Sequence, residues 1–253
     1  MFRNFKTIKY YVKYIFFCFM MTIVPTLLLP YFLMRPKNVL NLIPASKILR
    51  ITSRIIGVKF TLRGHKHLEE ERAAVIISNH QSSLDILGML EIWPVMKRTT
   101  VIARMLLLFA GPFGIGAWLC GLVFINKDSA DRGKKKMNKA MEKLKNEKTK
   151  LWVFPEGYRN RAGTIDEFKK GAFHLAIDAQ VPIIPVVFSS YLTFTSKEKK
   201  IFNSGEILIE ALPAIPTKGL KSEDINELIK TTRDIIVKKY EELNSEIENK
   251  KKS

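Results

Sequence analysis

The sequence predicts an α/β chain: a sheet of short buried strands flanked by helices, behind an N-terminal helical segment that anchors it to a membrane. Seven apolar runs rich in β-branched residues carry the sheet, the first at Val58–Leu62 and the last at Gly205–Leu212. Their lengths and flanking turns are those of buried strands. Stretches of helical spacing lie between several of them, after Ser83 and again from Phe168. The anchor rests on Tyr14–Met34, twenty-one residues without a charge.

At 253 residues the chain has room for one globular domain and an accessory segment, expected at 57–253 and 1–56. The formal net charge of +18 is unevenly spread: twelve Lys and Arg precede Glu69, and no Asp or Glu does. A basic excess beside an apolar stretch suits an anionic membrane lipid surface and argues against nucleic acid. At about 1.5 Å per residue, Tyr14–Met34 is long enough for a hydrocarbon core of about 30 Å. Arg35-Pro36-Lys37 stands where a cleaved leader would carry small residues, so the segment is expected to be retained, spanning or re-entrant. Pro25 and Pro30 are expected to kink it. Lys47–Ile56 follows as a basic amphipathic helix, with Lys47, Arg50 and Arg54 opposite Ile48, Leu49, Thr52 and Ile55. Such a helix suits either the headgroup layer or packing on the domain. Cys18 and Cys120 lie in apolar runs and give neither a disulfide framework nor a metal site.

The strand Ala73–Ile77 delivers Asn79-His80-Gln81-Ser82-Ser83-Leu84-Asp85. In a regular helix, positions five apart point about 140° away from one another. His80 and Asp85 therefore meet only if His80 sits in the loop and Asp85 in the first turn of the next helix, which Ser82 or Ser83 is suited to cap. Asp85 would then hold one imidazole nitrogen and leave the other as an oriented base. Taken alone, the pair fits an ordinary satisfied histidine as well. Further strands are read at Thr99–Ala103, Leu122–Ile125, Leu151–Phe154 and Val181–Val187, and a long amphipathic helix at Ser222–Ile247.

Four segments resemble, in order, the boxes of glycerolipid acyltransferases. Asn79–Asp85 resembles the Asn-His-x4-Asp box. Gly121–Lys127 resembles the second box, with Lys127 where Arg is usual. Phe154-Pro155-Glu156-Gly157-Tyr158-Arg159 resembles the third, with Tyr158 where Thr is usual, and Val181–Val187 resembles the fourth. The likeness spans roughly 57–215 and is closest to the eukaryotic type of 1-acylglycerol-3-phosphate acyltransferases. It implies an α/β acyltransferase domain at the membrane that moves a fatty acyl group from acyl-CoA to lysophosphatidic acid, giving phosphatidic acid. Acyl-CoA is then a co-substrate, and no metal, resident cofactor or obligatory protein partner is implied. Another lysophospholipid or glycerol 3-phosphate as acceptor, and a non-catalytic membrane-binding member of the fold, are the alternative readings.

The site expected from these boxes has His80 as base and Asp85 as its support. Arg159 and Lys127 are expected at the acceptor phosphate, although Lys offers a point charge where Arg offers a fork. Gly157 frees the backbone of the turn. Glu156, which would repel a phosphate, is expected to bind a glycerol hydroxyl or to orient Arg159. Lys169 or Lys170 would help neutralise phosphates, and His174 would pack. Backbone amides after Ser83 are expected to hold the thioester oxyanion. Met105–Ile125, uncharged but broken by Gly111, Pro112, Gly114, Gly116 and Gly121, is read as a buried or membrane-dipping wall of the acyl site. A crossing there would separate His80 from the Glu156 box. The expected location is the endoplasmic-reticulum membrane with the site facing the cytosol; Lys250-Lys251-Lys252-Ser253 resembles a dilysine retrieval signal.

Overall fold

The computed structural model describes residues 2–125, 141–142 and 144–252. A seven-stranded sheet has the order β1-β9-β6-β2-β5-β3-β4. Its strands are β1 (Val58–Arg63), β2 (Ala74–Ser78), β3 (Thr99–Arg104), β4 (Val123–Ile125), β5 (Lys150–Val153), β6 (Ile183–Phe188) and β9 (Gly205–Ala211). All neighbours are parallel except β6 and β9. A separate hairpin, β7 (Thr195–Ser196) and β8 (Ile201–Phe202), has no counterpart in the sequence expectations because its strands are two residues each.

β2 shows why these runs form a central parallel strand. All five of its residues are buried. Ala74 and Ile76 enter one core, and Val75 and Ile77 enter the other, because side chains alternate across the sheet. The first core is covered by α1 (Phe2–Met34), α2 (Leu42–Ile55) and α4 (Asp85–Met96). The second is covered by α6 (Gly171–Ala179) and α7 (Ile225–Lys252), with Met141 and Leu144. A four-residue α3 (Lys66–Glu69) links β1 to β2.

Helix α1 begins twelve residues before the uncharged run and continues through Pro25 and Pro30. Neither proline ends it. One stripe, Tyr10, Phe17, Met21, Val24 and Phe32, is buried, and the first four belong to the same core as Ile76 and Ile184 of the sheet. Residues on both sides of position 56 contribute to that core. Of the two readings of this basic helix, Arg50 follows packing on the domain: it pairs with Glu91 of α4 through Nη2 at 2.7 Å and Nε at 2.9 Å. Leu49 and Thr52 are buried, whereas Ile48, Ile51 and Ile55 are exposed.

Met105–Ile125 is neither one helix nor a crossing. It forms a 3-10 turn (Met105–Phe109), α5 (Gly111–Leu119) and β4. Helices α1 and α5 touch at Gly116, where an added Cβ would lie 2.9 Å from Pro25 Cβ. A glycine is required by that close approach.

Candidate active site

The site forms at the carboxyl ends of β2, β5 and β6, where open α/β sheets bind ligands. Asn79 ties two of these ends together. Its Nδ2 donates to Phe188 O and its Oδ1 accepts from Phe188 N, both at 2.9 Å. Gln81 Nε2 donates to Phe188 O and Ser189 O, and the Tyr240 hydroxyl of α7 donates to Gln81 Oε1 at 3.3 Å. The loop leaving β2 is therefore fixed before His80 is considered.

His80 lies in that loop, and Asp85 is the first residue of α4. His80 Nδ1 is 2.7 Å from Asp85 Oδ2. A carboxylate only accepts, so Nδ1 carries the proton and Nε2 is the free base. The imidazole stacks on Phe154 at 4.1 Å between centroids, which fixes its plane. Asp85 is fully buried, and its Oδ2 also accepts from Gln81 N at 2.8 Å and Ser82 N at 3.0 Å. These donors and the helix start stabilise the buried charge. Burial, and then the nearby Asp85 charge, push the Tyr191 phenol well above its ordinary pKa.

The Phe154–Asn160 turn grips His80 by its backbone. Glu156 Oε1 accepts from His80 N at 2.7 Å, and Asn160 N donates to His80 O at 2.8 Å. Glu156 Oε2 accepts from Asp166 N at 3.3 Å, and the residue is 1 % exposed. The structure thus places both Glu156 oxygens on backbone amides, and among the described residues Glu156 makes no hydrogen bond or ion pair with Arg159. Burial pushes the Glu156 pKa up, against the pull of those two amides. Gly157 has φ +74°, a left-handed conformation that favours glycine, and the side chain of Lys169 lies beside it.

A cavity of about 1240 Å³ opens beside His80. Its deep walls are apolar, formed by Met21, Pro25 and Phe32 of α1, Trp93 of α4, and Phe113 and Cys120 around α5. Arg104, Arg159, Arg161 and Lys169, all exposed, also line it, and Arg104 Nη2 donates to Gly157 O at 3.2 Å. Among the described residues Arg159 and Arg161 have no salt-bridge partner. Lys127 lies outside the described residues. A fixed base beside a long apolar chamber with cations in its wall can activate a hydroxyl on a molecule that is part hydrocarbon and part anion.

Residues 59–189, half of the chain, match the Acyltransferase family model. The chain belongs to the acyltransferase family. It is similar to human 1-acyl-sn-glycerol-3-phosphate acyltransferase alpha, 37 % identical over 242 residues that cover 94 % of this chain and 83 % of that protein. The human beta enzyme is 44 % identical over 175 residues, 69 % of this chain and 62 % of that protein. The crystal structure of the 1-acyl-sn-glycerophosphate (LPA) acyltransferase PlsC from Thermotoga maritima shares the fold. That comparison has a TM-score of 0.73 and 21 % identity, covering 94 % of this chain and 98 % of the other.

Two features of this acyltransferase differ from the sequence expectations. The amides after Ser83 are already engaged: Leu84 N donates to Ser82 Oγ, Asp85 N to Ser82 O and Ile86 N to Ser83 O. They are not free to hold an oxyanion. Arg104 and Arg161 were overlooked, though each had a signal. Arg104 is the last charge before the uncharged run, and Arg161 stands two residues after Arg159 in one turn.

Glu156→Ala is expected to lower kcat more than it raises either KM, because it loosens the loop that carries the base. Stability should fall by about 1–3 kcal/mol, the cost of leaving the buried His80 N–H without an acceptor. Steady-state kinetics and urea unfolding check both.

Proposed function

We propose that the chain transfers a fatty acyl group from acyl-CoA to the sn-2 hydroxyl of 1-acyl-sn-glycerol 3-phosphate, forming phosphatidic acid in phospholipid synthesis. The observation that carries this is the His80–Asp85 pair set against an apolar cavity with arginines in its wall; the activity in the human relatives' names supports it. His80 Nε2 takes the proton of the acceptor hydroxyl as that oxygen attacks the thioester carbonyl. The C–S bond breaks, and the proton on the imidazolium passes to the leaving thiolate. Asp85 stabilises the imidazolium between these events. Direct transfer needs neither an enzyme nucleophile nor a resident metal or cofactor.

In this reading the acyl chains occupy the apolar part of the cavity, and Arg159 and Arg161, with Lys127, hold the acceptor phosphate through charge-assisted bonds. Helix α1 and the exposed isoleucines of α2 rest on membrane lipid, in the endoplasmic reticulum, with the site open to the cytosol where acyl-CoA is made available. No protein partner is needed.

An acceptor panel with purified protein tests the assignment: lysophosphatidic acid should be the best acceptor, ahead of other lysophospholipids and of glycerol 3-phosphate. Preference for a zwitterionic lysophospholipid would overturn it. Arg159→Ala should raise the KM for lysophosphatidic acid by roughly 10-fold or more, the loss of a charged hydrogen bond worth about 1.5–3 kcal/mol. The KM for acyl-CoA should change less; an equal rise in both would remove Arg159 from the acceptor phosphate.

A further inference from the structure

Helix α1 has a second apolar stripe. Opposite its buried face, Ile8, Val12, Ile15 and Phe19 are between 56 % and 66 % exposed. Each residue turns a helix by about 100°. Lys9 therefore borders that stripe, and Lys6 and Lys13, spaced i and i+7, lie on the flank between it and the buried face.

A distant part of the chain packs beside this flank. The β7–β8 hairpin leans on α1, with Phe202 5.4 Å from the Tyr14 ring and Lys13 Nζ 4.8 Å from the Phe202 ring. Lys200 Nζ stands 5.4 Å from the Tyr10 ring and 5.5 Å from the Tyr11 ring. The hairpin turn adds the exposed Lys197 and Lys199, with Glu198 between them. Among the described residues none of these six lysines is in a salt bridge.

A purely solvated or nucleic-acid-binding basic face would not carry a continuous stripe of exposed Ile, Val and Phe. An apolar stripe flanked by lysines is the geometry of a helix lying in the headgroup layer, its stripe in the acyl boundary and its ammonium groups at the phosphates. We propose that the β7–β8 hairpin is a membrane-docking element, which together with the lysines of α1 seats the chain on an anionic bilayer surface. The inference rests on the membrane-surface reading above and adds a contact that the N-terminal helix alone does not supply.

The test is flotation of the full chain with vesicles of phosphatidylcholine alone or mixed with phosphatidylglycerol. Wild type should prefer the anionic vesicles, and salt should weaken that preference. A lysine near an anionic surface contributes about 5-fold in affinity, so K197Q/K199Q/K200Q should bind anionic vesicles on the order of 100-fold more weakly. Binding to neutral vesicles through the apolar stripe should persist. K197Q/K199Q, which keeps Lys200 on the tyrosine rings and hence the packing, should lose about 25-fold by the same count. Equal binding of wild type and both variants to anionic vesicles would overturn the proposal, as would tighter binding of wild type to an RNA oligonucleotide than to those vesicles. Acyl transfer to detergent-dispersed lysophosphatidic acid should be unchanged in both variants. Absence of transfer by wild type would defeat the activity reading while leaving the flotation result interpretable.

Discussion

Replacing His80 by alanine should lower kcat by roughly 10²–10⁴-fold, the usual contribution of a positioned general base, with little change in either KM. The protein should stay folded for a specific reason. The loop is held through the His80 backbone, whose N–H donates to Glu156 and whose carbonyl accepts from Asn160, and alanine keeps both bonds. Asp85 Oδ2 also keeps the amides of Gln81 and Ser82. Asp85→Asn should behave differently. An amide can turn its NH₂ toward the imidazole and favour the wrong tautomer, so kcat should fall by roughly 10²-fold or more. One carboxylate oxygen now takes three donors, so stability should fall as well, by about 1–3 kcal/mol. Single-turnover assays with labelled acyl-CoA and thermal melts separate the two variants. Near-normal turnover by His80→Ala would remove the imidazole from the chemistry.

Deleting residues 1–34 should abolish cooperative folding, not release a soluble catalytic domain. Five side chains of α1 (Tyr10, Phe17, Met21, Val24 and Phe32) are at most 7 % exposed. Burying a large apolar side chain contributes about 1.5–3 kcal/mol, so the five together supply roughly 10 kcal/mol. A whole domain is typically stable by only about 5–15 kcal/mol. The deletion also strips Met21, Pro25 and Phe32 from the cavity wall. The expected product lacks a sharp urea transition and has no acyl transfer even in detergent. A soluble, active fragment would show that α1 is peripheral.

Sequence and structure divide the molecule in a way that follows from the range of the interactions. Local patterning determined much: the strand runs appear within two residues of their expected places, most plainly at β2 and β6, because a strand buried on both faces must be apolar throughout. The His80–Asp85 meeting was also legible, since the i to i+5 spacing admits contact only across a loop-to-helix junction. So was the glycine at 157, which a left-handed turn demands. Glu156 was not. Its spacing marks it as special, but its partners are amides 76 residues before it and 10 after, and only the folded turn brings them to its two oxygens. The amides after Ser83 looked available in sequence and are engaged within their own turn.

The apolar N-terminal run was legible as a helix that seeks a nonaqueous surrounding, because composition and length set that preference. Whether lipid or protein provides it is a tertiary matter. In this acyltransferase one stripe of α1 meets the sheet and its helices while the opposite stripe stays exposed. The same holds for Arg50, basic in the sequence pattern but neutralised by a glutamate 41 residues away. Hydrophobicity and charge are properties of residues and can be read along a chain; which surface satisfies them depends on contacts between residues far apart in sequence, and those exist only in the fold.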